Sequence, residues 1–135
     1  MLGGVSYPDK MPLQNIEVFK LGSTEWQLCN LNLPIPLRAL SSVSLPEGIL
    51  LLGGYDSYGS LRRECYKIVG SKEIKTLAQM PFVSQHLACV STPTFEEVYV
   101  LNEKQICIYN TKKNYWYTSS QISPHAAEGA ALVQF

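Results

Sequence analysis

A chain of 135 residues, 46% hydrophobic and only 16% charged, is long enough for one ordinary domain with its own core and too apolar for disorder. Its 11 basic and 11 acidic side chains cancel, which removes the electrostatic reason to expect nucleic acid or an anionic membrane as partner. No stretch approaches the ~20 apolar residues needed to span a bilayer, and the opening Met1-Leu2-Gly3-Gly4 lacks the basic and apolar regions of a signal peptide.

The elements come in three similar copies, over 1–48, 49–96 and 97–135. The first holds a strand at 1–4 that ends in Gly3-Gly4, a strand at 15–20 carrying Phe19, a strand at 26–30 led by Trp26, a proline-marked loop at 33–39 and a small-residue strand at 39–45. The second opens on "LLLGGYD", with a strand at 49–53 running into Gly53-Gly54. Strands at 63–69 (with Tyr66), 74–78 and 86–91 follow, the last behind the loop "MPFVSQHLA". In the third, strands are expected at 97–101, 105–110 (with Tyr109), 116–120 (with Trp116) and 128–134. Each run is five to seven residues, rich in Val, Ile, Tyr and Phe and bounded by Gly, Pro, Asn or Ser, and none sustains a helical period. "STE" at 23–25 and "TKKN" at 111–114 read as hairpin connections.

The landmarks recur in register. The glycine doublets are 50 residues apart, and Phe19, Tyr66 and Tyr109 are separated by 47 and 43. A tryptophan follows seven residues after Phe19 and after Tyr109, whereas in the middle copy that place holds Glu73, beside Ile74. The third copy has Leu101-Asn102 where the doublet would stand. Four short strands in a repeat of about 45 residues describe a propeller blade.

The order glycine doublet, tyrosine, tryptophan resembles the kelch repeat, and "LLGGYDSYGSLRRECYKI" is similar to the blades of BTB-kelch proteins. The resemblance implies an all-β fold: a kelch-type β-propeller with about three four-stranded antiparallel blades, an incomplete ring. It implies that Gly3, Gly4, Gly53 and Gly54 end strands where the backbone turns and approaches a neighbour without a Cβ clash. It also implies that Phe19, Tyr66, Tyr109, Trp26 and Trp116 fill the space between blades as core residues. A three-blade arc leaves two apolar blade faces uncovered, and closed propellers have four to eight blades. Three expectations remain open: a fragment of a longer kelch chain that supplies further blades, a half-ring completed by a second copy, or an open arc.

Catalytic constellations are weak. Cys29, Cys65, Cys89 and Cys107 have no CxxC spacing and sit in strand-like settings, so reduced, buried thiols and a cytoplasmic location are expected. His86 and Cys89 fall on opposite faces of an extended strand, Glu96 and Glu97 also point apart, and two histidines 39 residues apart do not make a metal site. No phosphate-cradling glycine pattern is present, and no cofactor, metal or catalytic residue is expected. A propeller enzyme resembling galactose oxidase or a sugar epimerase is the alternative of another class. Its oxidase version is opposed by the low histidine count and by Cys65 standing directly beside Tyr66.

Recognition therefore falls to loops. The loop after each doublet is long in the first two copies, "VSYPDKMPLQ" and "YDSYGSLR", and short in the third. By position, the family resemblance nominates Tyr55, Ser57, Tyr58, Arg62, Arg38 and His86 for binding a protein partner, with one of Arg62 and Arg63 expected to point into the blade edge. Ubiquitin-ligase substrate recognition and cytoskeletal association are the roles that resemblance suggests.

Overall fold

A computed structural model of the chain describes residues 1–70, 72–84, 87–102 and 105–122. The described residues form an all-β molecule without a helix, so none is long and apolar enough to cross a membrane. Strands β1 (Leu13–Phe19) and β2 (Trp26–Leu37) make a two-stranded antiparallel sheet. Strands β3 (Ser41–Leu45), β4 (Gly48–Leu52), β5 (Cys65–Val69) and β6 (Glu73–Leu77) form a four-stranded antiparallel meander. A second meander follows: β7 (Ala88–Ser91), β8 (Glu97–Asn102), β9 (Gln105–Asn110) and β10 (Tyr115–Ile122).

The sheets and the sequence copies are out of phase by one strand. The segment 39–45, counted as the last strand of the first copy, pairs with β4 and so opens the middle sheet. Expectation and structure also part in the first copy. Segment 1–4 contributes one isolated bridge, Leu2 to Ile16, in place of a full strand, and a second bridge, Val5 to Pro12, follows just beyond it. In turn β2 runs 12 residues and takes in 33–37, where the prolines signalled a loop. Pro34 and Pro36 are tolerated because β2 pairs only with β1, through a bulged register that shifts between Leu13 and Glu17. Gln14 sits in that bulge and donates its side-chain amide to the Leu33 carbonyl at 2.9 Å. The strand expected at 128–134 and His125 lie outside the described residues.

Alternation along the middle sheet explains why "ILLL" reads as an unbroken apolar run. Leu50, Leu52 and Cys65 face one way and pack with Val98, Val100 and Tyr109 of the third sheet. Leu51, Tyr66 and Ile68 face the other way and pack with Ile16, Leu33 and Leu37 of the first. A strand buried on both faces cannot spare every second position for a polar residue. Leu50, Leu51 and Leu52 are at most 1% exposed, and burying each contributes about 2 kcal/mol.

Polar ties fix how the two four-stranded sheets stack. Ser41 Oγ donates to the Leu87 carbonyl at 2.7 Å and Cys89 Sγ lies 3.4 Å from the Ser42 carbonyl, which sets β3 beside β7. At the far edge the Trp116 indole N–H donates to the Ala78 carbonyl at 2.9 Å. Asn114 Oδ1 accepts from the Ala78 amide and from the Tyr109 hydroxyl, each at 2.8 Å.

The aromatic landmarks divide. Tyr66 and Tyr109 are buried, as expected of core residues, and Trp116 is half-buried. Phe19 and Trp26 are instead 45% and 59% exposed, because no described sheet covers their side of β1–β2. Opposite Tyr66 stands Thr76, while Glu73 pairs with Val69 at the turn and Ile74 supplies the apolar side chain against Ile68.

Candidate functional site

The two glycine doublets build the same turn twice. Gly3 and Gly4 have φ of 62° and 107°, Gly53 and Gly54 of 60° and 100°, all in the left-handed region where a Cβ is strained. What approaches them is mainly backbone: a Cβ on Gly3 would stand 2.3 Å from the Leu37 carbonyl oxygen, and one on Gly54 would stand 2.8 Å from that of Arg38. The amide of Gly4 donates to Leu37 O at 2.9 Å, and Arg38 and Tyr55 exchange a reciprocal pair of backbone hydrogen bonds at 3.0 and 2.8 Å. The end of β2 thereby staples both doublet turns together, and it sets Arg38 beside the start of the second loop.

That loop, 55–62, is organised by Asp56. One carboxylate oxygen, Oδ1, accepts the amides of Tyr58 and Ser60, each at 2.9 Å, an Asx arrangement that fixes the backbone from its own side chain. The Ser60 amide above all, joined by the Tyr58 amide and the Arg62 guanidinium, holds the Asp56 carboxyl below its ordinary range against the opposing effect of desolvation. Arg62 bridges Asp56 and Glu64, so its guanidinium is consumed inside the loop while Arg63 is exposed. Of the two arginines, Arg62 is therefore the inward one. Hydrogen bonding to Glu64 raises its pKa further.

Of the nominated residues, the fold sets Arg38 against Tyr55, at the start of the loop that carries Ser57 and Tyr58. The Arg38 guanidinium lies 5.2 Å from the centre of the Tyr55 ring, a cation–π distance, and among the described residues it pairs with no carboxylate. Tyr58 is 93% exposed at the loop tip and Ser57 is exposed beside it. Arg62 belongs to the scaffold of the loop. His86 lies outside the described residues.

Sequence reasoning missed Tyr7. It tips the loop after the first doublet and is 92% exposed, the counterpart of Tyr58. Its turn closes through Ser6 and Met11, whose backbone groups bond at 2.9 Å. The signal was available, a tyrosine three or four residues beyond each doublet. It missed Asp56 and Asn114 too, both of which act by satisfying backbone amides.

Elsewhere the polar groups are structural. Glu96 pairs with Lys112 in a turn, whereas Glu97 accepts from the hydroxyls of Tyr99 and Tyr117 on the outward face of the third sheet. Hydrogen bonding to Glu97 pushes the Tyr117 hydroxyl up to about 12. Cys29, Cys65, Cys89 and Cys107 are all unbridged, and burial pushes the Cys65 thiol up to about 12, far from a thiolate nucleophile. Among the described residues no three His, Cys, Asp or Glu side chains converge as metal ligands. A groove of about 370 Å³ lies between the β3–β4 and β7–β8 turns, lined by Pro46, Lys67, Phe95 and Lys112, and holds none of the nominated loop residues. No known family model and no curated protein matches this chain.

Proposed function

We propose that the chain is part of a kelch-type β-propeller and acts as a protein-interaction module, gripping its partner with the loop after the second glycine doublet. The kelch reading is supported by two four-stranded meanders in the same order, by doublets with matching φ angles, and by the twice-built aromatic–tryptophan pair. The observation that carries the interaction reading is the loop itself. Asp56 holds it in place without help from a partner and lifts Tyr58 to 93% exposure, while Arg38 lies against Tyr55 at the start of the loop with no carboxylate partner among the described residues.

A preorganised loop loses little entropy on binding, and tyrosine and arginine are the side chains that dominate interface energetics. Arg38 would take a carboxylate of the partner bidentately while Tyr55 and Tyr58 pack on the peptide beside it. Substrate recognition for a ubiquitin ligase and cytoskeletal association both use binding of this kind. Four free thiols fit a reducing cytoplasm. A photo-crosslinking residue in place of Tyr58, with one in place of Phe95 at the opposite end as control, tests the reading. Capture of a discrete protein from the first position alone supports it, and equal capture from both positions contradicts it.

A further inference from the structure

The two doublet loops stand on one strand end and are built alike. Along an extended strand the backbone groups of one residue point to one side and those of the next residue to the other. At the end of β2 the Leu37 carbonyl accepts from Gly4 on one side, and Arg38 exchanges both backbone bonds with Tyr55 on the other. The roots of the first and second loops therefore flank the Leu37–Arg38 peptide, two strand spacings or about 10 Å apart. Each loop closes on its own bonds. Ser6 and Met11 close the first, with the Lys10 amide donating to the Ser6 carbonyl at 2.9 Å, and Asp56 closes the second. Each lifts one tyrosine into solvent, Tyr7 at 92% and Tyr58 at 93% exposure, and the exposed Arg38 stands between the two roots.

Charge at this end is divided by depth. The Asp56 and Glu64 side chains are only 12% and 18% exposed, and both are spent on Arg62 and on neighbouring backbone amides. Lys10, Arg38 and Arg63 are exposed, and none of them pairs with a carboxylate among the described residues. The exposed carboxylate of the two loops is Asp9. A partner thus meets three cations against one anion, on a chain whose formal charge is zero.

We infer, resting on the loop reading above, that one extended acidic peptide segment lies across both doublet loops, with Tyr7 and Tyr58 packing on its two ends and Arg38 taking a carboxylate midway. This adds the first loop to the site and gives the partner its charge. Spanning about 10 Å takes roughly three or four extended residues at about 3.3 Å each, so the recognised segment is short. Lys10 in the first loop and Arg63 just past the second favour further acidic residues on either side, by screened attraction at the rim. Both loops are held by their own bonds before the partner arrives, so little ordering opposes binding.

A phage-displayed library of random heptapeptides, panned against the full chain, supplies the test. Asp and Glu should be enriched over the starting library. The leading peptide, resynthesised with a fluorescent label, should bind about tenfold or more weakly to each of Tyr7→Ala, Arg38→Ala and Tyr58→Ala. Its affinity should also fall as NaCl rises from about 0.1 to about 1 M, where the screening length shortens from about 10 to about 3 Å. Lys112→Ala, at the opposite end, should bind as the unaltered chain does. All three altered side chains are exposed, so the variants should keep the fold, which circular dichroism checks. Binding lost in Arg38→Ala and Tyr58→Ala but intact in Tyr7→Ala would overturn the two-loop site and leave the loop reading standing. Enriched peptides no more acidic than the library would do the same to the charge of the partner. Peptides that bind regardless of Arg38 and Tyr58, or no enrichment at all, would overturn both.

Discussion

Asp56 decides the shape of the candidate site. Its carboxylate holds the amides of Tyr58 and Ser60, and those bonds keep its pKa below the ordinary aspartate value. A depressed folded-state pKa contributes stability that is complete above the unfolded value of about 3.9 and is lost as pH falls through the folded value. Protection of the Tyr58 and Ser60 amides from exchange, relative to their intrinsic rates, should therefore be complete above about pH 4 and be lost as pH falls through the lower folded value, while Asp56→Ala should leave both amides unprotected at every pH. The doublet beside it is a second constraint of this scale. Gly53 has φ of 60°, and a Cβ there would stand 3.0 Å from both the Arg62 carbonyl and the Met80 methyl. Gly53→Ala should lower stability by about 1–3 kcal/mol in urea titration, from left-handed strain and crowding together. The turn was legible in the sequence, since a doublet after an apolar run announces one, whereas the part of Asp56 went unread although Asp-Ser-Tyr-Gly is a sequence in which an Asx bend forms. The role of Arg62 was not, because which of two adjacent arginines turns inward depends on Asp56 and Glu64 reaching it across the folded loop.

At the scale of elements, the same hairpin has different worth in different places. Trp116 packs on the core and bonds the Ala78 carbonyl, whereas Trp26 stacks on Phe19 in the open. Trp116→Ala should cost about 3 kcal/mol, and Trp26→Ala, measured in dilute solution, about 1 kcal/mol or less. Equal losses in thermal or urea unfolding would mean that both tryptophans are buried alike. Strand positions were readable from composition and spacing across β3 to β10, where β-branched and aromatic runs lie between turn residues. The length of β2 was not, because Pro34 and Pro36 look like loop signals until one knows that their strand lies at a sheet edge. Nor was the phase of the sheets. A repeating sequence gives the period but not where a sheet begins, and the pairing of Ser41–Leu45 with β4 decides that.

The whole molecule is a stack of sheets in which the middle one is buried on both faces and the doublet turns gather at one edge. Burial of a landmark depends on its neighbours, which is why Tyr66 and Tyr109 met the core expectation and Phe19 and Trp26 did not. The stack supplies rigidity, and the proposed function gives recognition to its loops: Tyr58 and Tyr7 stand almost fully exposed beyond turns that share the end of β2. The most direct measurement of that claim is the affinity of the partner captured at Tyr58 for the unaltered chain and for Arg38→Ala, Tyr58→Ala and Lys112→Ala. Binding weakened about tenfold or more by each of the first two and unchanged by the third is the predicted result. Affinity insensitive to Arg38 and Tyr58, or lost only in Lys112→Ala, would contradict it.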